Sequence, residues 1–250
     1  RYYTAQLLDE WGEVIVNIND RSTPSNPFGD FALVQKGSKM PTPEGMARVE
    51  LHSSKAKLLA RVELTDDPEG AVALQRKFTA TALGTVAAVE PPLIPDFDND
   101  TLLGVDIFDT AAEVLASASD VSPIAARMQL LTSAIAEHVA TSPRDERDRI
   151  GAFIAESVVP EFKHYALTQS APYENHWLGG GAAGSYGADY HLRTVVNLVG
   201  IWANTDDEVI YFLASRDIDE KPLDGSAGYT LHFPADDLPS AVVDSYWSII

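Results

Sequence analysis

The sequence predicts an α+β fold, with two β-sandwich or jelly-roll-like blocks separated by a helical segment. Three observations carry the prediction. Residues 1–65 are rich in β-formers whose apolar side chains alternate. The middle of the chain carries Pro-led helix starts and apolar stripes at helical spacing. Residues 200–250 then return to short apolar β-former runs punctuated by turns. The order β block, helices, β block matches neither an alternating βαβ fold nor a repeat array.

In the first block, 2–8 and 14–18 flank Asp9-Glu-Trp-Gly12 and read as a hairpin. Residues 20–27 are a loop by composition, 28–34 a third strand, and Met40-Pro-Thr-Pro-Glu-Gly45 a turn. Val49 and Leu51, then Leu58, Ala60, Val62 and Leu64, alternate with mostly polar neighbours as strands do. Asp67 caps and Pro68 starts a helix running to about Phe78, and Glu90-Pro-Pro-Leu-Ile-Pro95 is a stiff linker. The division falls there: a β-rich block with a closing helix over 1–90, then helices and a second β block over 91–250.

Residues 105–118 are expected to be helical from the stripe Ile107, Phe108, Ala111, Ala112 and Leu115. Ser122-Pro123 and Ser142-Pro143 each open a further helix, and Pro160 should kink or end the second. Residues 179–187 are a glycine-rich connector, and a short helix spans Asp189 to about Val199. In the last third, 209–213 and 228–233 are expected strands around the turn Pro222-Leu-Asp-Gly225, with a final strand over 245–250. That terminal hairpin is expected to organise the chain.

Composition restricts the function classes. With 18 Lys and Arg against 37 Asp and Glu the net charge is −19, and no basic cluster stands out. Phosphate backbones require clustered cations, so no nucleic-acid partner is expected. No apolar run approaches the ~18–20 residues of a membrane span. The absence of cysteine removes disulfide, thiolate and Cys–zinc chemistry.

The local motifs are weak. Gly179-Gly-Gly-Ala-Ala-Gly184 has G-x-G-x-x-G spacing, but the preceding Tyr173-Glu-Asn-His-Trp177 does not read as a buried strand, so a flexible linker is expected. The run 96–100 begins like a calcium loop, but Thr101 and Ile107 stand where Gly and Glu are needed. The six histidines show no metal-ligand spacing, His232 is expected to face outward, and no G-x-S-x-G elbow occurs. No cofactor and no metal is expected.

A resemblance rests on longer patterns. Arg1-Tyr-Tyr-Thr-Ala-Gln-Leu-Leu-Asp9, Asn19-Asp-Arg-Ser22, Gly29-Asp-Phe-Ala-Leu-Val34 and the stretch 64–75 resemble the C-terminal half of domain of unknown function 1254. Tyr186-Gly-Ala-Asp-Tyr190, Arg193, Gly200, Ala203-Asn204, Pro222-Leu-Asp-Gly225, Tyr229, Leu231-His-Phe233 and Tyr246-Trp-Ser248 resemble the N-terminal and central part of its companion, domain of unknown function 1214. Together the two cover nearly all 250 positions. The resemblance implies an exported, often periplasmic protein with β-sandwich domains joined by helices. It also implies that this chain is an interior fragment or a reduced member, since relatives carry helices before Arg1 and β structure beyond 247–250.

The remaining chemistry is an aromatic and arginine set. Arg21, Trp177, Tyr190, Arg193 and Trp247 are the candidate ligand-binding residues, because aromatic faces beside a guanidinium suit a sugar or a small carboxylate. Catalytic residues are not identified. Two function classes stay open: binding of a small polar molecule or glycan, or assembly through the β blocks; and a hydrolase or lyase using carboxylate, Arg and His in an inter-block cleft. An open edge at 245–250 is expected to call for self-association or for missing segments of the same protein.

Overall fold

The central strand of the protein is β1 (Tyr3–Asp9), in which every residue from Thr4 to Asp9 is buried. The computed structural model describes residues 1–64, 66–85, 90–96, 98, 102, 104–117 and 119–250. β1 pairs antiparallel with β2 (Val14–Ile18) on one side and β5 (Ala56–Val62) on the other, with Ala5 opposite Ile18 and Leu7 opposite Leu58. A strand flanked on both sides has its backbone bonds satisfied, which lets Thr4 and Gln6 lie buried with Leu7 and Leu8. The turn into β2 closes on Asp9, whose Oδ1 accepts from the Trp11 and Glu13 amides at 2.8 Å each.

β3 (Phe31–Gln35) and β4 (Ala47–Leu51) form a separate parallel pair, with Leu33 opposite Val49. Eleven residues with two turn glycines, Gly37 and Gly45 at positive φ, make the connection. α1 (Pro68–Gln75) starts as expected, with Asp67 accepting from the Gly70 amide at 2.8 Å.

The helical segment is broken where the sequence suggested continuity. A 3₁₀ turn over Val105–Asp109 precedes α2 (Ala111–Ala116), with Thr110 between them. α3 (Pro123–Thr141) packs on that turn and on α2. α4 (Arg144–Phe153) runs through a π turn, Ile154–Val158, into α5 (Val159–Thr168). Pro160 therefore neither ends the helix nor stands alone. The widened turn before it takes up a residue whose missing N–H and bulky ring an α-helical register rejects.

β6 (Tyr173–Glu174) and β7 (Trp177–Gly179) form a hairpin whose two loop residues, Asn175 and His176, both have positive φ, as a twist-matched two-residue turn requires. β8 (Phe212–Leu213) adds to β7 antiparallel. α6 (Tyr190–Val199) begins where expected, Asp189 accepting from the Leu192 amide at 2.9 Å, and buries Leu192 and Val195.

The architecture is thus mixed, helices with several small sheets and no closed barrel among the described residues. Two expectations are corrected. Of the β-former run 209–213 only Phe212 and Leu213 form a strand, and 228–233 and 245–250 lie outside any strand. The element around which the chain is built is β1, which is paired on both sides, whereas of the strands expected after residue 208 only Phe212 and Leu213 pair, with β7. No helix among the described residues is long and apolar enough to cross a membrane.

Candidate functional site

Polar side chains concentrate where β1 and β2 meet the segments 184–208 and 119–122. The first cluster stands at the end of β1. His52, just past β4, places Nε2 3.2 Å from Asp9 Oδ2 and Nδ1 3.0 Å from Asp120 Oδ1. Asp120 also accepts from Trp11 Nε1 at 2.7 Å and from the Ser122 amide at 2.7 Å. Glu10 accepts from Ser53 Oγ at 2.7 Å beside it. Burial pushes the Asp9 and Glu10 carboxyls above the usual carboxylate range, only partly offset by their hydrogen bonds and by nearby cations.

The second cluster hangs on α6. Arg193 Nη2 lies 2.6 Å from Glu13 Oε2 and donates to Gly187 O at 2.9 Å, while Nη1 donates to Trp11 O at 3.2 Å. Its guanidinium stacks over the buried Tyr186 ring, 5.1 Å from the centroid. Asn197, one turn on, donates to the same Trp11 carbonyl. This helix face therefore clamps the β1–β2 turn.

The third cluster is a seam between β2, the loop after it and residues 203–208. Gln6 donates to Ala203 O at 2.9 Å, and Asn17 Nδ2 to Thr205 Oγ1 at 3.1 Å. Glu208, whose side chain is fully buried, receives Asn19 Nδ2 at 2.9 Å and Ser22 Oγ at 3.1 Å on Oε2, and faces Arg21 Nη2 at 3.1 Å through Oε1. Burial pushes its carboxyl up even with that guanidinium beside it. Gly184 makes the seam close: its φ is +75°, and a Cβ there would meet the Asn204 carbonyl carbon at 2.9 Å. The stretch 179–184 is packed at its two ends, while Gly180 and Ala182 between them are exposed. Val14 N donates to Gly184 O, and Gly179 lies under the Phe212 ring.

The five candidate residues do not form one site. Arg21 sits in the seam, with its guanidinium 5.4 Å from the Tyr2 ring centroid. Arg193 and Tyr190 share α6, but the Tyr190 hydroxyl donates to Ile124 O at the start of α3. Trp177 is half-buried in the β6–β7 hairpin. Trp247 packs on Phe233 at 5.3 Å in the C-terminal segment. The sequence reading overlooked Asp9, Asp120, Glu13, Asn17, Asn19 and Glu208. It found no acidic partner at metal-ligand spacing for His52, whose two partners lie 43 and 68 positions away. The visible signal was the run Asn17-Ile-Asn19, two amides bracketing a strand end.

Among the described residues no group of His, Asp or Glu is placed to hold a metal ion. The calcium-like run 96–100 lies partly outside the described residues. His232 is exposed, but so are Tyr229 and Leu231 of the same non-strand segment, so its exposure does not come from alternation along a strand.

Residues 1–82 match the family model described as Protein of unknown function (DUF1254), and residues 208–250 match the one described as Protein of unknown function (DUF1214). These matches correct the resemblance read from the sequence. That reading laid the C-terminal half of the first family and the N-terminal and central part of the second along nearly the whole chain. The matches instead occupy the N-terminal 82 residues and the C-terminal 43. Residues 83–207, with Tyr186, Tyr190, Arg193 and Ala203-Asn204, lie outside both. The chain matches no curated protein and no solved structure.

Proposed function

We propose that this is an assembly protein whose C-terminal segment, residues 209–250, associates with a second copy of the chain. One observation carries the reading. The chain has 17116 Å² of accessible surface, against about 10,800 Å² for a folded monomer of its mass. The excess of roughly 6,000 Å² per chain is more than the roughly 1,000–2,500 Å² that each partner contributes to an obligate interface, so it is ample to supply one. The uncovered surface is apolar in the last third: Ile210, Tyr211, Phe212, Leu213, Ile218 and Tyr246 are all exposed.

β8 pairs with β7 on one side only and has a free edge, and the other expected strands of this segment lie outside any strand among the described residues. On association 209–213, 228–233 and 245–250 pair as strands across the copies, and this is where the sandwich-like second block of the sequence reading would form. A two-fold arrangement, the commonest closed symmetry, lets each copy cover the other. The division near residue 90 and an exported, periplasmic location belong to the same proposal; cell fractionation tests the location.

The hydrolase or lyase reading has its nearest counterpart in Asp9, His52 and Asp120. Every oxygen of those two carboxylates already has a partner, and the Asp9 and Asp120 side chains are 3% and 0% exposed. That leaves no group aimed at a substrate, so assembly is preferred.

Sedimentation and hydrogen exchange on the 250-residue polypeptide test the proposal. A dimer mass with protected amides over 209–213 and 228–233 is the expected result. A monodisperse monomer overturns it, as does protection that arises only in a longer polypeptide of the same protein.

A further inference from the structure

The joint between the end of β1 and the start of α3 carries a proton requirement set by its geometry. His52 presents both ring nitrogens to carboxylates: Nε2 lies 3.2 Å from Asp9 Oδ2 and Nδ1 lies 3.0 Å from Asp120 Oδ1. An ionised carboxylate only accepts, so each contact needs a proton of its own, and neutral imidazole carries a single N–H. The second proton sits on the other nitrogen or on the Asp9 carboxyl, which burial raises, and the count for the cluster is two either way. The His52 side chain is 24% exposed, against 3% and 0% for the two acids, so protons enter and leave through the imidazole.

Losing one proton does not affect the two contacts equally. Among the described residues Asp9 Oδ2 has no partner except His52, whereas Asp120 Oδ1 also accepts from the Ser122 amide at 2.7 Å. The remaining N–H is needed more at Asp9, so the contact that fails is the one to Asp120. Asp120 in turn holds Trp11 Nε1 and the amide of Ser122, the residue before α3. The other charged groups around the cluster are Glu10 on Ser53 Oγ, Lys55 on Ser117 Oγ, and Arg193 of α6 with its partner Glu13. None of them bonds the imidazole. We propose that His52 is a proton-operated clasp: with two protons in the Asp9–His52–Asp120 cluster it fastens the segment 119–122 to the end of β1, and loss of one proton loosens that joint. The backbone bonds from Ser54 N to Ser119 O and from Val121 N to His52 O remain, so the segment loosens without detaching.

Ring-nitrogen NMR of His52 and amide exchange of Ser122 between about pH 5 and pH 8 test the clasp. Protection is taken relative to the unfolded-chain rate at each pH, and Leu7 in the middle of β1 reports global unfolding separately. Two protons in the ring contacts are expected at the lower pH and one, on Nε2, at the higher. Protection of Ser122 should fall about tenfold across the range, beyond any change at Leu7. Asp9→Asn places a permanent N–H opposite Nε2 and leaves the ring proton for Asp120, so Ser122 should stay protected at every pH. His52→Gln cannot donate to both acids, and protection there should be low throughout. Should His52→Gln fail to fold, Asp9→Asn still decides. A single ring-contact proton at pH 5, protection that ignores pH in the unaltered protein, or a pH step that persists in Asp9→Asn overturns the clasp. Residues 209–250 take no part, so either outcome leaves the assembly reading as it stands.

Discussion

At the scale of single residues, the protein buries acids that elsewhere would sit in water. Asp9, Glu10 and Glu208 are each raised by desolvation. Between the ordinary carboxylate range and their folded values, the folded chain therefore holds more protons than the unfolded chain. Stability contributed by such groups is fully present below the unfolded pKa and is lost as pH rises through the folded one. Asp67 and Asp224 are lowered, by the amides of Gly70 and Ser226, and work in the opposite sense, but both are fully exposed and screened. The urea midpoint is therefore predicted to be higher at about pH 5 than at pH 7, close above the ordinary carboxylate range. Glu10→Gln keeps an oxygen for Ser53 and should shrink the difference. A midpoint that climbs towards neutral pH counts against the burial argument.

At the scale of elements, what was legible followed from local chemistry. The hairpin of β1 and β2, α1 with Asp67 and Pro68, and α6 with Asp189 each carry their start or stop signal within a few residues, and each was read close to its observed bounds. Pairing partners were not legible. Nothing local makes β5 return to β1, sets β3 and β4 parallel, or brings His52 between Asp9 and Asp120. The terminal strands were read from apolar β-former runs, turn residues and alternation, and none of these says that a partner strand exists. The cap of α6 has a measurable consequence, because this helix holds Arg193 and Asn197 against the β1–β2 turn. Asp189→Ala removes the bond to the Leu192 amide and is predicted to cost about 1 kcal/mol. Amide exchange in the first turn of α6 should accelerate, and Trp11 fluorescence should shift as the turn beneath it loosens. Unchanged exchange would mean that tertiary contacts, not the cap, hold the helix start.

At the scale of the whole molecule, apolar area and charge pull in opposite directions. The excess surface favours association, while a net charge of −19 per chain opposes bringing two copies together. The opposition is local as well as global: residues 209–250 contain seven acids and two bases alongside the exposed apolar side chains. Salt separates the two terms. Raising ionic strength from about 0.01 to 0.15 M shortens the Debye length from roughly 30 to 8 Å, which removes most repulsion between exposed carboxylates. Burial of apolar area is not weakened by that change. Self-association is therefore predicted to strengthen over this range, with the dimer dissociation constant falling as sodium chloride rises. Sedimentation equilibrium at several salt concentrations measures it directly. An interface held by ion pairs would show the reverse slope, and that outcome would move the contact away from residues 209–250 towards α4, where Arg144 and Arg149 are exposed.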